Sequence, residues 1–88
     1  MNAHPELIEI TRLNHRINDA VSDLLSLSNE SDTIVTQSEN MINFNYVGRG
    51  TESIGLTISD QYSTKTRTAY LTETLSRLNQ IKAELTAQ

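Results

Sequence analysis

The spacing of apolar residues changes twice along this chain, and that change constrains the fold more tightly than any motif in it. Between Pro5 and Leu27, Ile10, Leu13, Ile17, Ala20, Leu24 and Leu27 recur at 3-4-3-4-3 intervals, with Leu7, Val21 and Leu25 widening the stripe. At 3.6 residues per turn these side chains share one helix face, which must be buried against something. Arg12, Arg16, Asp19 and Asp23 fall on the other side, and Arg16 and Asp19 are spaced to pair at i, i+3. Pro5 suits the first helical position, and Glu6 and Glu9 place negative charge in the first turns. The spacing predicts a helix over 5–27, ended by the turn-forming run Ser28-Asn29-Glu30-Ser31-Asp32.

The period then falls to two. Ile42, Phe44 and Tyr46 alternate with asparagines, and Ile54, Leu56 and Ile58 alternate with small polar residues. Gly48 and Gly50 lie between the two runs and tolerate positive φ, so 41–47 and 53–59 are expected to pair as an antiparallel hairpin. Upstream, Thr33-Ile34-Val35-Thr36-Gln37 is β-branched enough for a third strand, turning at 38–40. The same stretch admits a short helix over 33–42, because Thr36-Gln37-Ser38-Glu39 matches a capping box; the strand is preferred. The period returns to 3.6 through Leu71, Leu75, Leu78, Ile81 and Leu85, with Glu73 and Arg77 in the favourable i, i+4 order. The start of this last helix is open, since Asp60 could cap it while Ser63–Thr68 alternates. Lys82 lies within the leucine stripe and must run its ammonium outward along an apolar stem.

Together these segments predict an α+β fold of two layers. It is a single compact α-β-β-β-α domain over 1–88, with an antiparallel meander packed by N- and C-terminal helices. The heptad spacing of the first helix also permits pairing with a copy of itself, so a homodimer is one expectation.

Composition removes several kinds of chemistry. The absence of Cys excludes disulfides, thiolate zinc sites and thiol catalysis. No apolar run approaches the length that crosses a bilayer, and the start lacks the basic-then-apolar order of a signal peptide, so a cytoplasmic protein without membrane contact is expected. A net charge of −4 disfavours direct nucleic-acid binding, which needs clustered Lys and Arg.

Reactive constellations are missing as well. His4 and His15 have no second ligand at a metal spacing, so no metal and no cofactor are expected. No serine stands in a nucleophile elbow. Gly48-Arg49-Gly50-Thr51 lacks the Lys and helix start of a phosphate loop and reads as a hairpin turn. The chain is therefore not expected to be an enzyme.

What remains is surface. Ser, Thr, Asn and Gln supply 32 residues against 18 charged ones, a composition suited to hydrogen-bonded protein contacts. From Ile17 to Gly48 the charged residues are all acidic: Asp19, Asp23, Glu30, Asp32 and Glu39. If these gather at one end of the domain, they form a patch suited to the basic groove of a nucleic-acid-handling protein. The expected partner contacts are those five acids, with Arg49 and Tyr62 as anchors. The expected function is a small acidic, non-catalytic protein-binding module that inhibits or regulates a larger macromolecule. In size and layout alone the chain resembles the small inhibitors that phages carry against host defence, anti-CRISPR proteins among them. Two alternatives stand beside it. One is an oligomer that sequesters an anionic nucleotide through Arg49, Lys65, Arg67 and tyrosines; the other is an assembly subunit that uses the heptad stripe.

Overall fold

A computed structural model describes residues 4–87. The order is α1 (Pro5–Leu27), a 3-10 turn (Ser28–Glu30), β1 (Thr33–Ser38), β2 (Met41–Tyr46), β3 (Gly50–Gly55) and α2 (Thr64–Thr86). The strands form one antiparallel sheet in the order β1-β2-β3. The α+β meander with terminal helices is thus the observed architecture, and 33–38 is strand rather than helix.

The two helices run in the same direction. Glu6 and Glu9 of α1 share a cleft with Thr64 and Lys65 at the start of α2, and Asp23 near the end of α1 bonds Lys82 near the end of α2. A chain leaving the C-terminal end of α1 must therefore travel back before α2 can start. Three strands of six residues, each about 20 Å long, make that return because an odd number of antiparallel passes ends at the far side. The extended segment after Gly55 completes it, burying Leu56 and half-burying Ile58 on the way to Ser63.

This path explains two boundary differences. Ile54, Leu56 and Ile58 do alternate, but the paired strand is Gly50–Gly55 rather than 53–59. Beyond Asn40 and Leu56 no neighbouring strand remains to pair with, and the last bond of the ladder runs from the Leu56 N–H to the Asn40 carbonyl at 2.9 Å. The last helix begins at Thr64, because the Ser63 hydroxyl accepts the Thr66 N–H at 3.1 Å and caps it; Asp60 does not.

The core lies between the helix pair and the inner face of the sheet. Ile10, Leu13, Ile17, Ala20, Val21 and Leu24 of α1 meet Leu71, Leu75, Leu78, Ile81 and Leu85 of α2, roofed by Val35, Ile42, Phe44 and Tyr46. Ile42, Phe44, Leu24, Leu78 and Ile81 are fully inaccessible, and burial of such a side chain is worth roughly 1.5–3 kcal/mol. Lys82 does extend out of its stripe, to reach Asp23 at 2.6 Å. Of the two expected helix-surface pairs, Glu73–Arg77 gives way because Arg77 bonds Glu52 of β3 instead, while Arg16 and Asp19 line one shallow cleft; a further pair on α1 joins Arg12 to Glu9 at 3.4 Å.

Candidate functional site

Alternation along each strand gives the sheet two chemically different faces. The inner face carries Val35, Ile42, Phe44, Tyr46 and Ile54. The outer face is built of three cross-strand rows: Ile34–Asn45–Thr51, Thr36–Asn43–Ser53 and Ser38–Met41–Gly55. None of these nine residues is charged. Thr36, Ser38, Asn45, Thr51 and Ser53 are exposed, as are Ile34 (58%) and Met41 (36%). The Ser53 hydroxyl donates to Asn43 Oδ1 at 2.7 Å, which fixes the amide orientation in the centre of the face. The face thus combines two apolar side chains with neutral donors and acceptors whose removal from water costs little per group.

Charge is confined to its margins. At one end the Asp32 carbonyl accepts the Val47 N–H at 3.3 Å, bringing the start of β1 beside the β2–β3 turn. That turn closes with the Arg49 N–H on the Tyr46 carbonyl at 3.1 Å, and Gly48 supplies the positive φ (83°) that the third position of a type II turn requires. Arg49 stacks its guanidinium over the Tyr46 ring at 4.3 Å from the centroid. Below it, Arg77 makes a two-point contact with Glu52 at 2.7 and 2.8 Å, and Glu84 lies 3.9 Å from Arg77. The Tyr46 hydroxyl donates to Glu52 at 3.3 Å.

These residues line a polar cleft of about 240 Å³. The Arg77 hydrogen bonds hold the Glu52 carboxyl below its ordinary range, against an opposing push from burial. Burial, with Glu52 second, raises the Tyr46 hydroxyl. At neutral pH the cleft therefore holds a committed carboxylate, a neutral phenol and two guanidinium groups. The two-point contact of Arg77 with Glu52, with Glu84 beside it, ties β3 to α2 as a brace.

The expected contact residues are scattered over several surfaces. Asp23 is tied to Lys82, and Asp19 and Arg16 line the same shallow cleft. Glu30 and Asp32 stand at the hairpin end of the sheet with Arg49. Glu39 lies in the β1–β2 turn, the length of a strand away, about 20 Å. Tyr62 is exposed in the turn before α2, where its N–H reaches the Ser59 carbonyl at 3.3 Å. The five acids accordingly do not form one patch, because β1 carries the chain away from Asp32 before Glu39 is reached.

Arg49 also stands apart from Lys65 and Arg67. These begin α2, whereas the Arg49 turn lies by Glu84 near its other end, about 30 Å along the axis. Within one chain the basic groups of a nucleotide site do not converge. His4 lies 3.9 Å from Glu6 at the start of α1, His15 is exposed, and no group of three potential metal ligands occurs among the described residues. No helix of the structure is long and apolar enough to cross a membrane.

Sequence reasoning passed over the outer sheet face, although its signal was present. In the runs 33–38, 41–46 and 50–55, six of the nine residues on the second phase are Thr, Ser or Asn, and none is Lys, Glu, Asp or Arg. No protein-family model, curated protein sequence or solved structure matches the chain.

Proposed function

We infer that the protein is a non-catalytic docking module that binds a larger macromolecular partner through the outer face of its sheet, and inhibits or regulates that partner by covering one of its surfaces. The observation that carries this reading is the charge-free outer face. Protein interfaces are marked less by apolar content than by depletion of charge at their centre, with charge kept to the rim. An ordinary solvated sheet face does not need that depletion, and the helices of this same chain carry charge freely on their exposed sides. Arg49 stands in the turn at one end of the face, but its guanidinium lies over Tyr46 on the inner side and lines the cleft toward α2, so it flanks this face rather than anchoring it. Glu30 and Asp32 at one end, and Glu39 at the other, give the face acidic ends. The complementary partner surface has a neutral centre and basic margins.

Two kinds of substitution test this. Asn45→Arg places a charge at the centre of the face without touching the core. It should abolish recovery of a stoichiometric partner from a host lysate, while the far-UV spectrum and unfolding midpoint stay as in the parent. Glu30→Lys combined with Glu39→Lys should mainly slow association and flatten its dependence on salt. Equal partner recovery by the Asn45→Arg variant would reject the outer face as the contact.

A further inference from the structure

The opposite margin of the sheet borders a groove that the docking face does not use. The bond from the Leu56 N–H to the Asn40 carbonyl sets the phase of the β2–β3 ladder, so Gly50, Glu52 and Ile54 turn their backbone groups toward β2. Thr51, Ser53 and Gly55 turn theirs outward. At Gly55 helix α2 meets them: the Tyr70 hydroxyl donates to the Gly55 carbonyl at 3.2 Å and the Thr74 hydroxyl reaches it at 3.5 Å. A Cβ at Gly55 would lie 2.5 Å from the Tyr70 hydroxyl oxygen, so any larger residue there would push the Tyr70 ring out of this contact. Thr51 and Ser53 are exposed, and among the described residues no side chain engages their outward backbone groups. The strand carries no Lys, no Pro and no bulge that would discourage pairing at this edge.

Between this edge and the flank of α2 runs a groove of about 270 Å³, floored by Ile54, Gly55, Tyr70 and Thr74. Arg77 on its rim is committed to Glu52 and Glu84, whereas Glu73 is exposed and makes no hydrogen bond or ion pair with the described residues. An open strand edge beside a helix is the geometry in which extended peptides bind. Main-chain pairing supplies the contact, and alternate side chains enter the groove. We propose that the β3 edge and the flank of α2 bind an extended segment of a partner protein. The segment adds as a fourth strand at Thr51 and Ser53, lodges a small apolar side chain over Ile54 and Gly55, and sets a Lys or Arg against Glu73. A second copy of this chain is a poorer occupant, because a twofold pairing of β3 edges brings one acidic groove against another. The two surfaces share β3, whose Thr51 and Ser53 side chains belong to the outer face while their backbone groups form this edge, so the variants below are chosen to separate one surface from the other.

The test uses the full 15N-labelled chain and the capped peptide Thr-Val-Thr-Lys-Thr-Val-Thr, with Thr-Val-Thr-Glu-Thr-Val-Thr as its counterpart. An isolated strand of this length is expected to bind at about the millimolar level, so titration runs to about 5 mM. Shift changes and slowed amide exchange should centre on Thr51, Ser53 and Glu73, with the lysine peptide binding about three- to tenfold more tightly than the glutamate one. Glu73→Lys should reverse that order. Ser53→Pro removes the outward N–H and should abolish binding, whereas Ser53→Ala should retain it. The Asn45→Arg variant that disables the outer face should titrate like the parent. Absent shifts, shifts centred on Thr36 and Asn45, equal affinity for the two peptides, or unimpaired binding by a folded Ser53→Pro variant would each overturn the proposal.

Discussion

The two faces of the sheet are drawn from the same eighteen residues of β1, β2 and β3, yet they obey different rules. The inner face is apolar and holds its one charged side chain, Glu52, only by giving it a guanidinium and a phenol. The outer face carries neutral polar groups and two exposed apolar side chains in open water. The difference teaches that the inner residues are selected for packing, while no packing requirement explains the outer ones. The proposed binding role rests on that outer composition.

Substitution can break this comparison by showing that the faces respond alike. The largest effect is expected at Phe44, which is fully buried and packs near Tyr46 at 6.3 Å between ring centroids. Phe44→Ala should lower the unfolding free energy by about 3–5 kcal/mol in chemical denaturation, because the cavity left under the helices cannot fully collapse. A loss below about 1 kcal/mol would mean that the inner face is not the core. Next comes the brace between β3 and α2. Its side chains are about a third exposed, so Glu52→Gln should cost about 1 kcal/mol at neutral pH.

The acid limb of the stability curve sharpens that second prediction. Folding lowers the pKa of Glu52, so its contribution is complete above the ordinary glutamate range. It declines as pH falls through that range and is gone below the depressed folded value. The parent should therefore lose stability on acidification faster than Glu52→Gln, and parallel curves would show that the carboxylate contributes nothing through its charge.

Smaller effects are expected toward the edge and the outer face. The Ser31 hydroxyl both accepts the Thr33 N–H at 3.3 Å and donates to the Thr33 carbonyl at 3.2 Å, so it closes the first position of the β1 edge. Ser31→Ala should cost about 0.5–1.5 kcal/mol and speed amide exchange at Thr33. Smallest of all, Asn45→Thr on the outer face should change stability by no more than about 0.5 kcal/mol. A shift as large as that of Phe44→Ala would mean that the outer face packs against something in solution.

The elements were largely legible in the sequence because each has one dominant period. The α1 stripe from Ile10 to Leu27 and the alternation through Ile42, Phe44 and Tyr46 each admit one geometry with a buried side. Legibility failed where a tertiary partner decided the outcome. Ile58 continues the alternation of Ile54 and Leu56 in sequence, but pairing stops because β2 has already turned at Asn40. Arg77 is well spaced for Glu73 on its own helix, and only the approach of β3 offers it the better two-point contact with Glu52. The acids were read as neighbours from their closeness along the chain, whereas an extended strand separates points that a helix would keep near. Five residues of helix span about 7 Å and five of strand about 17 Å, which is why Glu39 parts from Asp32.

The shared direction of α1 and α2 has an electrical consequence. In an antiparallel pair the peptide dipoles of two equal helices cancel; in this one they add. Both carbonyl-bearing poles lie at the end that holds Glu30, Asp32, Glu84 and Arg49, with no basic residue in the last turn of either helix, while both amide-bearing poles lie at the end that holds Glu6, Glu9 and Lys65. The poles are about 30 Å apart and screening in physiological salt acts over about 8 Å, so an approaching molecule senses one of them at a time. The backbone is thus polarised along its length, with Glu6 and Glu9 seated at its positive tip.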